Sequence, residues 1–262
     1  MDYTTLTYEK DGRVGRVSFC RPEIHNAFNG TVIKEMTHLF GMIEQDDDIR
    51  VVVLTGKGKS FCAGADLNWM REVINQSFEE NLAESNALAD LFYQIYTLKR
   101  PVVGAINGAA IGGGTGFVAV CDIAVAAQSA KFSFSEVKIG VVPACIGPYV
   151  IKKMGEGKAR ELFITGERMT ADRALQVGLV NRVVADSMLE SDVEHLVESI
   201  LTSGPEAVAT AKRLVSEVPG QTPEQFKPYT AEMIARLRIS DEGQEGMDAF
   251  LNKRKPRWAA KE

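Results

Sequence analysis

Three stretches of the 262-residue chain bring together small residues, glycines and one carboxylate in an order that suits chemistry at a carbonyl. The first is Phe61-Cys62-Ala63-Gly64-Ala65-Asp66-Leu67, directly after a β-branched run and a short Gly-Lys loop. Small side chains let a backbone approach a ligand closely, and Gly64 opens dihedrals closed to other residues. The second is Ala109-Ala110-Ile111-Gly112-Gly113-Gly114, between a strand pattern and a helix pattern. The free N–H groups of a helix start can face developing negative charge. Two backbone donors aimed at one oxygen are what acyl-transfer and enolate chemistry require, and losing one typically costs about 3 kcal/mol in the transition state. A tight packing turn or a phosphate cradle would use the same residue types. The third stretch is Phe132-Ser133-Phe134-Ser135-Glu136-Val137-Lys138-Ile139-Gly140. A carboxylate in apolar surroundings has its charged form disfavoured, which makes Glu136 a usable acid or base. The plain alternative, which local sequence favours, is an exposed strand-end glutamate paired with Lys138.

Other chemistries fit poorly. The Gly112 cluster lacks the Lys-Ser/Thr of a P-loop and the spacing of a dinucleotide turn, and Val53 stands where a P-loop ending at Gly58-Lys59-Ser60 needs its first glycine. His25, His38 and His195 are dispersed and form no metal-binding cluster, so no metal is expected. No GxSxG elbow is present. Lys152-Lys153 and Lys158-Ala159-Arg160 read as a solvated basic face.

The elements that must position these stretches follow from periodicity. Thr4 to Glu9 and Val14 to Cys20 alternate around an Asp11-Gly12 turn, as a hairpin does. Thr31 to Ile43 has helical spacing, with Asn29 or Thr31 as its cap. Val51 to Thr55 and Val102 to Asn107 read as strands buried on both faces. Glu79 to Leu98 reads as a long helix stopped by Pro101, and Thr115 to Val120 as a short apolar one before a strand at Asp122 to Ala126. Strands and helices alternate to about residue 185, which predicts an α/β fold with right-handed crossovers. Beyond that the pattern is helical: Ser187 to Thr202, Pro205 to Ser216, Thr222 to Arg238 and Glu242 to Lys253, with Pro228 as a possible break. The expected organisation is a core over 1–200 and a helical region over 201–262.

Composition bounds the class. Hydrophobic residues make up 45% and charged residues 25%, so a sizeable core is available, and the net charge of −5 argues against nucleic-acid binding. No apolar run reaches the roughly 20 residues of a membrane helix, and the start reads as a strand, so a cytoplasmic protein is expected. Cys20, Cys62, Cys121 and Cys145 are widely spaced and read as reduced, mostly buried residues.

The three stretches, in this order, resemble the crotonase, or enoyl-CoA hydratase/isomerase, family. The likeness runs from Arg21-Pro22 and Asn26-Ala27 through Leu162, Thr165-Gly166, Ala174 and Gly178-Leu179-Val180 to Glu242-Gly243-Gln244-Glu245-Gly246 and Phe250-Leu251. It implies a spiral of ββα units with a helical C-terminal region that makes homotrimers, often paired as homohexamers. It implies an oxyanion hole from the N–H groups of Ala65 and Gly113, with Glu136 as catalytic base. Coenzyme A, as part of an acyl-CoA substrate and with no separate cofactor, would lie along Ala63, Ala65, Asp66 and Leu67 and near Glu23 and Ala27. Phe250 and Lys253 are expected to touch a CoA, in one arrangement that of a neighbouring subunit.

The sequence departs from the family at one position. Two-glutamate hydratases carry a carboxylate where this chain has Gly116, which cannot do acid/base work and reads as room for a branched or carboxylated acyl chain. Asp66-Leu67-Asn68-Trp69-Met70, Ser135 before Glu136, and Ile146-Gly147-Pro148-Tyr149 resemble bacterial methylglutaconyl-CoA hydratases of leucine breakdown. The expected activity is therefore hydro-lyase chemistry on an α,β-unsaturated acyl-CoA, methylglutaconyl-CoA-like. The rivals are an enoyl-CoA isomerase using one glutamate, and a non-catalytic CoA- or RNA-binding member of the family.

Overall fold

The computed structural model describes residues 3–259. A hairpin, β1 (Leu6–Asp11) and β2 (Val14–Phe19), opens the chain. Its turn passes through Gly12 at φ 55°, a left-handed conformation that glycine adopts without strain. Helix α1 (Gly30–Gln45) starts where the Asn29 side chain accepts from the N–H groups of Thr31 and Val32. Then follow β3 (Val51–Gly56), β4 (Ser60–Cys62), α2 (Leu67–Val73) and α3 (Phe78–Thr97). A capping box between Ser77 and Glu80 sets the start of α3. The pattern repeats as β5 (Val102–Ile106), β6 (Ala109–Ile111) and α4 (Gly113–Val120), and again as β7 (Ile123–Ala127), β8 (Lys131–Ser133), α5 (Gly147–Met154) and α6 (Glu156–Thr165). Strand β9 (Arg168–Thr170), α7 (Ala171–Gln176) and β10 (Arg182–Val184) complete the sheets. The remainder is helical: α8 (Leu189–Leu201), α9 (Pro205–Glu217), α10 (Pro223–Ile239) and α11 (Asp241–Leu251). Pro228 lies inside α10 without splitting it.

Each ββα repeat sends its first strand to a six-stranded sheet, ordered β1-β2-β3-β5-β7-β10, and its second to a four-stranded sheet, ordered β4-β6-β8-β9. Strands β3, β5 and β7 run parallel, and so do β4, β6 and β8. The chain is thus a spiral of α/β coils, as expected. Glycines allow the coils to close on one another. A β-carbon on Gly108 would overlap the Lys59 carbonyl oxygen, and one on Gly114 would overlap that of Cys62.

Alternation along the central strands explains the two cores. Val52, Leu54, Val102, Ile106, Ala124 and Ala126 point to the larger core with α1, α3 and α4. Val51, Val53, Val103, Ala105, Val125 and Ala127 point to the opposite face, where α8 places Leu189, Val193, Leu196 and Val197. Phe117 of α4 anchors the larger core, its ring 5.0 Å from that of Phe19, 4.8 Å from Phe92 and 5.8 Å from Phe28. Rings at these separations and tilts contribute beyond their buried area.

Candidate active site

Because β4, β6 and β8 are parallel neighbours, their C-terminal ends lie along one edge. That edge receives the Ala63–Asp66 segment, the Gly112–Gly113 turn and the single-turn helix Ser135–Ile139 that carries Glu136. Three stretches separated by dozens of residues are thereby brought to one place.

Ala65 forms a bridge with Phe28. The Phe28 N–H donates to Gly64 O at 2.8 Å, and Phe28 O accepts from the Asp66 N–H at 2.8 Å. In extended backbone alternate residues point to opposite edges, so the Ala65 N–H faces away from Phe28. Gly64, at φ 93°, lays this segment against the end of β6; a β-carbon there would stand 2.7 Å from Ile111 O. On the other side, the Gly112 N–H donates to Ser133 O, and Thr115 Oγ1 donates to both Ala110 O and Ser133 O. These bonds fix the start of α4, where Gly113 is the first helical residue and its N–H has no turn before it to donate to. Phe28 closes up beneath: a β-carbon on Gly113 would meet its ring at 2.6 Å. Neither the Ala65 nor the Gly113 N–H has an acceptor among the described residues.

Glu136 stands beside this turn, its Oε1 3.3 Å from the position a β-carbon on Gly112 would occupy. Its Oε2 is buried with no hydrogen-bond partner among the described residues. Burial pushes its carboxyl above the usual range, outweighing the opposing bond from its own backbone. Lys138 is exposed and makes no ion pair with it among the described residues. The exposed-pair reading of Glu136 is thus corrected.

The other expected contacts divide. The Ala63 N–H donates to His25 O, and Ala27 O accepts from Arg21 Nη1 at 2.7 Å. Asp66 has its carboxylate committed: Oδ2 pairs with Arg21 Nη2 at 2.8 Å and Oδ1 caps α2 through the Asn68 N–H. Burial would raise its carboxyl, but the Asn68 bond and Arg21 together hold it below the usual range. Leu67 and Glu23 are exposed near this rim. Phe250 and Lys253 lie apart, on and just after α11, which packs on α9 and α10. The structure does not bring them to the Glu136 edge within one chain.

Gly116 requires a correction. A β-carbon there would overlap Ile146 Cγ2 and stand 3.1 Å from the Phe92 ring. The volume read as room for a branched acyl chain is already filled by Ile146, because α5 begins against α4.

Sequence reading noted Asn26 only as part of the family likeness and missed its role; it is buried at φ 58°. Its amide donates to Lys57 O and Ser60 O while its oxygen accepts from the Arg21 N–H, clasping three loops. Lys153 was misread as solvated: its ammonium turns inward to Val118 O and Cys121 O. Among the described residues no cluster of His, Cys, Asp and Glu could hold a metal, and no helix is long and apolar enough to cross a membrane. All four cysteines are free, Cys62 and Cys121 buried and the other two half-buried.

Comparison with known proteins bears on this geometry. The model of the enoyl-CoA hydratase/isomerase family matches residues 9–261. The chain is 33% identical to the short-chain-enoyl-CoA hydratase of Clostridium acetobutylicum, over 97% of each protein. It is 32% identical to the crotonyl-CoA hydratase of Syntrophomonas wolfei, over 100% of each. The crystal structure of an enoyl-CoA hydratase from Shewanella pealeana superposes with a TM-score of 0.95 at 36% identity, covering 98% of this chain and 96% of that one.

Proposed function

The chain belongs to the enoyl-CoA hydratase/isomerase family, and from that premise we propose that it adds water across the double bond of an α,β-unsaturated acyl-CoA, a hydro-lyase reaction. The observation that carries this reading is the pairing of two unclaimed backbone N–H groups with one buried, unpartnered carboxylate oxygen on the same edge. The N–H groups of Ala65 and Gly113 donate to the thioester oxygen and strengthen their hold as negative charge moves onto it. The β-carbon becomes electrophilic. Glu136 takes a proton from water as the water oxygen bonds to the β-carbon. The enolate then collapses, and the protonated Glu136 returns that proton to the α-carbon, so atoms and charge balance with one side chain. The raised pKa of Glu136 suits both halves of this cycle. Coenzyme A runs along Ala63, Ala65 and Leu67 and past Ala27 and Glu23, with Asp66 holding the loop's shape through Arg21.

The acyl group is a branched, carboxylated chain like that of methylglutaconyl-CoA, which would place the enzyme in leucine degradation. Support comes from residues 66–70, 132–140 and 146–149, not from space at Gly116. The helical C-terminal region would make a homotrimer or a homohexamer, and that assembly would give Phe250 and Lys253 a CoA to touch. The isomerase reading has one observation in its favour: position 116 is a glycine closed off by Ile146, so no second carboxylate stands there to share the work with Glu136. A mass-resolved assay in heavy-oxygen water separates them, using 3-methylglutaconyl-CoA, crotonyl-CoA and a 3-enoyl-CoA. Gain of one heavy oxygen, fastest with the branched acid, is expected. Double-bond migration without oxygen gain would replace hydration by isomerisation.

A further inference from the structure

Helix α4 carries the Gly113 donor at one end and stops abruptly at the other, where Cys121 returns to extended backbone at ψ 140°. A helix that ends inside the protein leaves carbonyl groups without partners, and their partial negative charge collects there. Lys153, near the end of α5, meets them: its Nζ donates to Cys121 O at 2.6 Å and to Val118 O at 3.3 Å. Burial lowers the pKa of this ammonium, so enclosure costs it stability that water would have supplied. It makes no ion pair among the described residues. The nearby Asp122 carboxylate already serves Lys212 Nζ at 2.7 Å and the Val102 N–H at 2.7 Å. Cys121 also faces Lys153, and burial pushes its thiol up to about 12, so it stays neutral.

A packing role alone would be met more cheaply by methionine, which fills similar volume without a desolvated charge. Ile146, which caps the start of the same α5 that delivers Lys153, packs against Gly116 midway along α4, so α5 grips α4 at its middle and its C-terminal end. The eight residues of α4 span about 12 Å. At that separation a positive charge in a buried setting still favours an anion at the far end.

The geometry points to Lys153 as a positioning residue for the oxyanion hole: through α4 it fixes the Gly113 N–H and backs it with charge. This rests on the proposed chemistry of that site, and the test is chosen to fail separately. Acetoacetyl-CoA is a β-ketoacyl thioester that cannot be hydrated, and the ultraviolet band of its enolate reports how strongly the site polarises a bound carbonyl. Wild-type, Lys153→Met and Lys153→Arg proteins are compared for this band, for crotonyl-CoA kinetics and for thermal midpoint. The expected result is a weakened band in Lys153→Met and a kcat lowered roughly three- to thirtyfold, the range for a unit charge about 12 Å from a developing anion in a partly buried setting. KM should change less than about twofold, since ground-state contacts are kept. Lys153→Arg should restore most of both signals. Should Lys153→Met fail to fold, Lys153→Gln, which keeps a donor and loses the charge, gives the same comparison. An unchanged band and kcat in the neutral variants, whatever their thermal midpoint, overturns the inference, and so does a wild-type protein with no enolate band. A wild-type protein that shows the band yet hydrates no enoyl-CoA would sink the hydratase reading and leave this one to be judged on the band.

Discussion

Glu136 Oε1 lies 3.3 Å from the point where Gly112 would carry a β-carbon. The proposed base therefore stands directly beside the turn that presents the proposed oxyanion donor. Gly112 sits at φ 54°, ψ −126°, a region closed to side chains. Gly112→Ala should lose stability by about 1–3 kcal/mol from strain alone. It should also lose at least tenfold in kcat, since a 1 Å shift at a reacting group is enough for that. Thermal denaturation and crotonyl-CoA kinetics check both; a variant with wild-type kcat would show that the carboxylate is not confined here.

Glu136→Gln preserves shape and removes the proposed base, so kcat should fall by about 10²–10⁴. The same substitution should stabilise the protein near neutral pH. Burial raises the folded-state pKa of Glu136 above its unfolded value. The native state then holds the proton more tightly, so this group's contribution falls as pH rises through the window between the two values. Glutamine removes that loss. In the wild type, kcat/KM should fall with acid at a pH above the ordinary carboxylate range, and this limb should be absent from the residual activity of the glutamine variant.

Gly116→Ala drives a methyl into Ile146, and overpacking of this kind costs about 1–3 kcal/mol. Ile146→Ala removes the obstruction and by itself leaves a cavity. Combined, the two changes should recover much of the loss, with a coupling of at least about 1 kcal/mol in a double-mutant cycle. Additive effects would mean that Ile146 does not fill the Gly116 site.

The Arg21–Asp66 pair closes the Ala65 loop, and both side chains are largely buried. Asp66→Asn keeps the cap on α2 but leaves the guanidinium uncompensated, at a cost of about 1–3 kcal/mol. Because the folded-state pKa of Asp66 is depressed, its stabilisation is present above the unfolded value and is lost as pH falls through the folded one. The stability difference between wild type and Asp66→Asn should therefore shrink in acid, which urea titrations at several pH values would reveal.

Much of this architecture was legible. Val51–Gly56 and Val102–Ile106 announced themselves as strands buried on both faces, and the hairpin, the long α3 and the C-terminal helices appeared within a few residues of their expected ends. Glycine and small residues marked where the backbone approaches closely, as at Gly64 and Gly114, but residue types alone left a packing turn open, and it was the order of the three stretches, through the family resemblance, that pointed to a site. The four-stranded sheet was not: β4, β6 and β8 have three residues each, too few for alternation to show. Side-chain roles set by tertiary contact were equally silent. Lys153 looks like its exposed neighbour Lys152, which lies over the Tyr96 ring, until α5 is docked and one of the two turns inward. Gly116 looks like vacant space until Ile146 arrives from thirty positions away.

Ser133, at the end of β8, accepts from both Gly112 and Thr115, three residues before Glu136. The coil that carries Glu136 is thus the one that locks the Gly112–Gly113 turn. During synthesis, a chain released only as far as α4 would hold Ala65 and Gly113, the proposed oxyanion donors, without the bonds to Ser133 O that fix the Gly112–Gly113 turn. Polarising power and proton transfer should then arise in a single folding event, so no partly wound form would engage a reactive thioester that it could not process.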